Sequence, residues 1–297
     1  MTDLIRVNGL AKRYGTKTVL DNVSLTVPKG GITGFIGANG AGKTTTIRAI
    51  LGLMPLDAGT VEVFGEPFDI ASSQSVNRRI KSRIGVVLDT CPFIGDLPIK
   101  STGSIMKAAF SSWRQGRFED YLDRFALDPA KKVKDLSRGM GMKLQLACAL
   151  AHEPDLLILD EATAGLDPLA RDEVLDLLRE FVSDDMHGIL ISSHITSDLD
   201  KIADTVVCID QGRIVFDLEK DAITDMMGIA RCRTSEFEQI AASGFFEAGS
   251  MRHIRQPYGI DLLVPDRFAF MRRFPEIACD RMTIDDFMQL TLKGELR

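Results

Sequence analysis

No two cysteines in this 297-residue chain stand in a C-x-x-C arrangement, and their total is odd. Cys91, Cys148, Cys208, Cys232 and Cys279 lie singly, which excludes zinc-ligand pairs and a disulfide framework and reads as buried thiols in a reducing compartment. No apolar run approaches the roughly 20 residues that span a bilayer, so the chain as read is not transmembrane. No charged-then-apolar leader opens Met1-Thr2-Asp3-Leu4-Ile5-Arg6, and no secretion signal is expected there. Lysine and arginine never form a block and the net charge is −6, which weighs against an extended nucleic-acid surface but leaves room for a local basic patch. Repeats, heptad runs and low-complexity tracts are missing too. What is there is an ordinary globular composition, 45% hydrophobic and 26% charged, long enough for one large domain or for a main domain with an appendage.

The richest stretch is Gly37-Ala38-Asn39-Gly40-Ala41-Gly42-Lys43-Thr44-Thr45, which fits G-x-x-x-x-G-K-[ST]. An apolar strand, Ile32 to Ile36, feeds into it and a helix-permissive run, Thr45 to Leu53, leaves it. A loop that wraps phosphate must turn backbone N–H groups inward, and the glycines permit dihedrals that a Cβ forbids. The helix start adds an anion site. In such a loop Lys43 reaches the terminal phosphates and the Thr44 hydroxyl ligates Mg²⁺. A ligand-free glycine turn is the bland alternative, and the strand and helix flanks argue against it.

Before the loop, Leu4 to Val7 and Val23 to Val27 read as strands, with Tyr14 between them open to two readings, core aromatic or platform for a purine. After it come strands Val61 to Phe64 and Ile84 to Leu88, the latter ending at Asp89. From Thr90 to about Lys134 the pattern turns helical (Ser104 to Phe110, Phe118 to Phe125) and reads as an insertion. A helix with an apolar stripe follows Leu136-Ser137-Arg138-Gly139-Met140. Leu156-Leu157-Ile158-Leu159 has the continuous apolarity of a strand buried on both faces and delivers Asp160-Glu161 to its end. Ligands of open parallel sheets bind at strand carboxyl ends, so these two acids, and His194 after the strand Ile189 to Ser193, stand where chemistry is done. A helix with Val174, Leu177, Leu178 and Phe181 in phase lies between them, and a hairpin turning at Gln211-Gly212 ends the series. Beyond about Asp217 no further site residue appears. A strand at Ile260 to Pro265 and helices at Glu236 to Ala242 and Thr283 to Leu292, the last opening on a capping-box pattern, suggest a small α/β appendage.

Six elements in this order resemble the ATP-binding subunits of ABC transporters: Tyr14, the loop Gly37 to Thr44, Leu136 to Met140 in place of Leu-Ser-Gly-Gly-Gln, Asp160-Glu161, the turn Ala164-Gly165-Leu166-Asp167, and His194. The resemblance covers roughly Leu4 to Phe216. It implies a P-loop NTPase core of ABC ATPase type (residues 1–216, helical subdomain about 90–150) with a C-terminal α/β appendage (217–297). It further implies ATP and Mg²⁺ bound between two copies set head to tail. Tyr14, Gly37, Ala38, Asn39, Gly40, Ala41, Gly42, Lys43, Thr44 and Thr45 would bind nucleotide from one copy, and Ser137 and Gly139 from the other. Thr44, Asp160 and Asp89 would hold the metal. Glu161 would be the general base, His194 would hold the γ-phosphate and orient the water, and Lys43 would take up developing charge. Two positions depart from the family: Arg138 and Met140 replace Gly and Gln, and Asp89 replaces a Gln. The Ser-Arg-Gly-Met form and the ending Thr283 to Phe287 look most like bacterial exporters of the bacitracin-resistance kind. The expected protein is an ATPase, cytoplasmic and peripheral on the inner membrane face, driving a separate transmembrane permease that exports a drug, peptide or lipid. The competing class, a soluble ABC-type ATPase acting on nucleic acid or ribosomes, usually carries two cassettes or a long coiled coil, and this chain has neither.

Overall fold

The structure is a computed structural model that describes residues 3–297; Met1 and Thr2, where the leader reading and the 1–216 assignment begin, lie outside them. β1 (Asp3–Tyr14) and β2 (Lys17–Pro28) alternate buried and open residues and pair antiparallel. That pattern belongs to strands with one face on a core. β3 (Ile32–Ile36) is buried at all its positions and runs into the glycine loop and α1 (Lys43–Ile50). β4 (Ala58–Val63) returns to β1, and β5 (Glu66–Pro67) completes an antiparallel sheet of order β2-β1-β4-β5. α2 (Gln74–Lys81) went unread in the sequence because it is polar on nearly every face. It buries only Ile80, and its start is set by Ser73, whose hydroxyl accepts from the Val76 N–H.

β6 (Ile84–Val87) leads to the helical insertion, α3 (Ile99–Ala109), α4 (Gln115–Arg124) and α5 (Arg138–Leu150). α3 begins earlier than the expected Ser104, directly after Pro98, whose extended backbone caps it. Next come β7 (Leu156–Asp160), α6 (Pro168–Val182), β8 (Gly188–Ser193), α7 (Thr196–Ile202), β9 (Thr205–Asp210) and β10 (Arg213–Glu219). The β9–β10 turn has Gln211 and Gly212 both at positive φ, 45° and 78°, as a two-residue hairpin loop of the expected type requires. The second sheet has the order β10-β9-β3-β8-β7-β6. β3, β8, β7 and β6 are parallel, with Ile36 beside Ser193, Asp160 beside Ser192 and Val87 beside Leu159. This register brings four carboxyl ends to one sheet edge.

The chain divides into two compact units, Met1–Ile195 with Val207–Asp217, and Thr196–Val206 with Leu218–Arg297. The second unit contains β11 (Gly228–Cys232), α8 (Thr234–Ala242), β12 (Arg252–Gln256), β13 (Gly259–Val264), α9 (Arg267–Arg273), β14 (Cys279–Arg281), α10 (Ile284–Lys293) and β15 (Glu295–Leu296). Its sheet order is β14-β11-β13-β12-β15, antiparallel throughout. The first six elements therefore form a βαββαβ split unit of ferredoxin-like topology. Phe237 and Ile240 of α8, Phe270 of α9 and Phe274 at its C-terminal end cluster with Ala230, Cys232, Ile260 and Leu262 of the sheet. The capping box at Thr283 is present: its hydroxyl accepts from the Asp286 N–H at 3.1 Å, and Asp286 Oδ2 accepts from the Thr283 N–H at 3.3 Å. α10 packs against α7 within this unit, where the Ile284 N–H donates to Asp200 Oδ1 at 3.1 Å.

Candidate functional site

Gly37 and Gly40 show why the loop after β3 is glycine-rich. A Cβ on Gly37 would stand 2.2 Å from the Ile209 carbonyl oxygen of β9, and Gly40 has φ of +82°. A side chain at the first would push the loop off the sheet, and any L-residue at the second is strained. α1 then starts at Lys43 with no side-chain cap, so its first-turn N–H groups are open to an external anion. Ala38, Asn39, Gly40 and Thr44 are exposed, Thr45 is half-buried, and Ala41 and Gly42 are buried. Lys43 is buried and folds back on its own loop, with Nζ donating to the Gly37 carbonyl at 2.6 Å and lying 3.6 Å from Glu161 Oε1.

Glu161 has a backbone φ of +57°. A non-glycine residue in this left-handed region costs on the order of 1–3 kcal/mol and persists where its surroundings over-determine it. Here they do. The Glu161 N–H donates to the Ser192 carbonyl at 3.1 Å and the Ser192 hydroxyl at 3.2 Å, while Glu161 Oε2 lies 2.5 Å from His194 Nδ1 and accepts from the His194 N–H at 3.3 Å. The Ser192 hydroxyl in turn donates to Asp160 Oδ1 at 2.5 Å. Ser192 thus ties the Asp160 carboxylate to the Glu161 backbone, a role no motif announces because it is one serine inside an apolar strand. The structure brings Lys43, Glu161, His194 and Asp160 to one place.

Asp89 follows β6, the neighbour of β7 at the same sheet edge, but among the described residues no hydrogen bond or ion pair joins its carboxylate to those four. Asp89 pairs instead with the Arg138 guanidinium, with both side chains about half exposed. α5 grips the same segment again through Gln145, which accepts from the Leu88 N–H and donates to the Leu88 carbonyl, each at 3.0 Å. Sequence reasoning missed Gln145 entirely. Ser137 caps α5 by accepting from the Met140 N–H at 3.2 Å, leaving its own proton free to donate. The turn at Gly165 is packed under Arg138, whose Cδ would lie 3.1 Å from a Cβ placed there, and Leu166 lies close over Gly139. Among the described residues the Ser137 segment shares no hydrogen bond with the loop 37–45 of its own chain. Tyr14 is exposed at the end of β1, with Lys12 Nζ 5.3 Å from its ring centroid, which removes the core-aromatic reading.

Beside these elements a groove of about 340 Å³ opens, lined by Leu53, Val86, Leu88, Phe93, Met106 and Phe110 among others. His152 forms part of its wall, stacked on Phe110 at 4.1 Å, with Nδ1 3.3 Å from the Cys148 carbonyl and Nε2 3.2 Å from the Ile84 carbonyl, one of which accepts from the neutral ring. Burial pushes the His152 pKa down and the Cys148 thiol up to about 12.

Residues 20–164 match the ABC transporter family model. The chain is 34% identical over 223 residues to the bacitracin transport ATP-binding protein BcrA of Bacillus licheniformis, covering 74% of this chain and 71% of that one. The chain belongs to the ABC transporter family, as an ATP-binding subunit. The lantibiotic transport ATP-binding protein SrtF of Streptococcus pyogenes is 32% identical over 220 residues, covering 73% of this chain and 92% of its own. A solved structure described as the ATP-binding subunit of an ABC transporter superposes with a TM-score of 0.67 at 29% identity, over 74% of this chain and 91% of that one. The expected P-loop core of ABC ATPase type is therefore present, and the protein binds and hydrolyses ATP. Among the described residues no helix is long and apolar enough to cross a membrane.

Proposed function

We propose that this ABC ATPase is the motor of an export complex: two copies close head to tail on ATP and drive a separate membrane subunit that expels a drug, peptide or lipid. The carrying observation is Glu161, held in a left-handed conformation between Lys43 and His194 at the end of β7. Phosphates of ATP bind the N–H groups of residues 37–45 and the Lys43 ammonium, with the Tyr14 ring against the purine. At rest Lys43 and His194 both engage Glu161; an entering γ-phosphate competes for these donors and frees the carboxylate. Glu161 then accepts the proton of the attacking water, which His194 orients.

Thr44 and Asp160 offer the oxygen donors that suit Mg²⁺, which would neutralise phosphate charge. Asp89, the third proposed ligand, is available only once Arg138 releases it. Across the dimer, the Ser137 hydroxyl and Gly139 N–H of each copy donate to the γ-phosphate on the other.

The groove between α2, α3 and α5 receives a short apolar helix of the membrane subunit. Its lining includes an exposed apolar residue, Leu53 at 54%, that water alone does not favour. Export follows the named relatives, bacitracin and lantibiotic transport proteins. The chain is then cytoplasmic and peripheral on the inner face of the membrane, with residues 1–216 as the ATPase and 217–297 as the appendage. Purification of the tagged chain in mild detergent tests this: a polytopic membrane protein should co-purify, and recovery of only ribosomal or nucleic-acid components would overturn it.

A further inference from the structure

A concave surface of about 770 Å³ lies between α2 and α3, and its lining includes Arg78, Arg79 and Lys107 with Ser75, Ser82 and Ser111. No acidic side chain lines it, in a chain whose net charge is −6. α2 carries Arg78, Arg79 and Lys81 in its last turn and no acid in its first. Cations at a helix C-terminus have a local reason, the helix dipole. Lys107 has the same reason in the last turn of α3, but the dipoles do not account for two such helix ends facing one space with no acid between them. Arg79 is shared with Glu66, whereas Arg78 and Lys107 form no ion pair among the described residues. Convergent cations and hydroxyls without a carboxylate are the chemistry of a phosphate site.

We propose that this pocket binds phosphate headgroups of anionic membrane lipids and holds the ATPase to the bilayer directly, beside its membrane subunit. Continuity of surface selects this source over a free phosphate. At the end of α3, Met106 and Phe110 line the apolar groove while Lys107 and Ser111, each one position on, line the basic pocket; at the end of α2, Lys81 lines the groove and Arg78 and Ser82 the pocket. The two cavities are adjacent faces of one helix pair. Ile105, one turn before Ala108 and Ala109 of the pocket, is exposed, and an exposed isoleucine next to unpaired cations suits a lipid interface. No aromatic lines the pocket, so it offers no stacking platform for the bases of a single-stranded nucleic acid. The continuity argument rests on the groove being the membrane subunit's seat.

The test uses the full chain alone, with vesicles of phosphatidylcholine with or without phosphatidylglycerol, at low and physiological salt. Because no membrane subunit is in the tube, this result and the co-purification result succeed or fail separately. The wild type should co-sediment with the anionic vesicles, more weakly as salt rises, and not with the neutral ones. An Arg78→Gln/Lys107→Gln double variant should lose about 30-fold in partitioning at low salt, the effect of two surface cations. A charge-matched control, Arg272→Gln/Arg273→Gln on α9, should stay within about twofold of wild type. ATP binding should be unchanged in both variants, which establishes that they are folded. Equal binding to neutral vesicles, equal loss in the control, full displacement by millimolar glycerol phosphate, or binding of a single-stranded oligonucleotide in place of vesicles would each overturn the proposal.

Discussion

Asp89 and Arg138, two residues at which this chain leaves its family's pattern, bind each other. The pair joins the end of β6 to the first residue of α5. An exposed ion pair contributes little stability, about 0–1 kcal/mol, so its effect belongs to placement: it occupies the Asp89 carboxylate and keeps the Arg138 side chain against the turn at Gly165. Arg138→Gln should release Asp89 and lower the Mg²⁺ concentration for half-maximal ATPase rate a few-fold, while Asp89→Asn should raise it. Mg²⁺ titrations that superimpose for all three proteins would withdraw the metal role of Asp89.

Lys43→Ala removes the loop's side-chain cation and the partner of both the Gly37 carbonyl and Glu161. Tight ATP binding and hydrolysis should both be lost, as read by equilibrium binding and phosphate release. Wild-type affinity in this variant would contradict the site assignment.

Glu161→Gln should keep ATP binding and lose turnover by roughly 10²–10⁴-fold, the usual contribution of a general base. It should also accumulate as an ATP-bound dimer in sedimentation with Mg-ATP; a strictly monomeric species would refute the head-to-tail arrangement for the isolated subunit.

Ser192→Ala should lower the stability of the first unit by about 2 kcal/mol in urea unfolding, since the hydroxyl is a charge-assisted donor to buried Asp160. It should slow turnover as well, because the Glu161 N–H loses one of its two acceptors. A change in stability alone would limit Ser192 to a structural part.

His152 has its pKa pushed below 6.5 chiefly by burial, so below pH 6.5 the unfolded chain takes up a proton that the folded chain refuses. Stability is therefore complete above pH 6.5 and falls as the pH drops toward the folded-state pKa, by up to about 1.4 kcal/mol per pH unit from this group. Unfolding midpoints at pH 7.5 and 5.5 should show that loss in the wild type and less of it in His152→Gln.

The strands that carry the site were legible because burial on both faces forces uninterrupted apolar runs, as in Leu156 to Leu159, and because Gly37 and Gly40 answer a demand made by the backbone itself. α2 was not legible, since one buried isoleucine gives no period. The ferredoxin-like unit was only half read: β12, Arg-His-Ile-Arg-Gln, carries as much charge as a loop, and its strand state comes from pairing with β13. Ser192 and Gln145 were invisible for a further reason. Each acts through a neighbour far away in sequence, Asp160 and Leu88, and only the fold makes them adjacent.

The grouping of α7 with the C-terminal unit imposes an order of events on synthesis. Leu199 and Ile202 of α7 are buried, yet α10, which packs on that helix, is synthesised roughly 90 residues later. At about 5–20 residues per second, some 90 residues of delay leave that apolar face uncovered for roughly 4–18 seconds in every nascent chain. The catalytic strands are complete by then, so the newborn ATPase carries a sticky, unfinished helix directly after its histidine. A stalled or prematurely terminated chain should consequently be a chaperone client and a protease substrate, even when its nucleotide loop is intact.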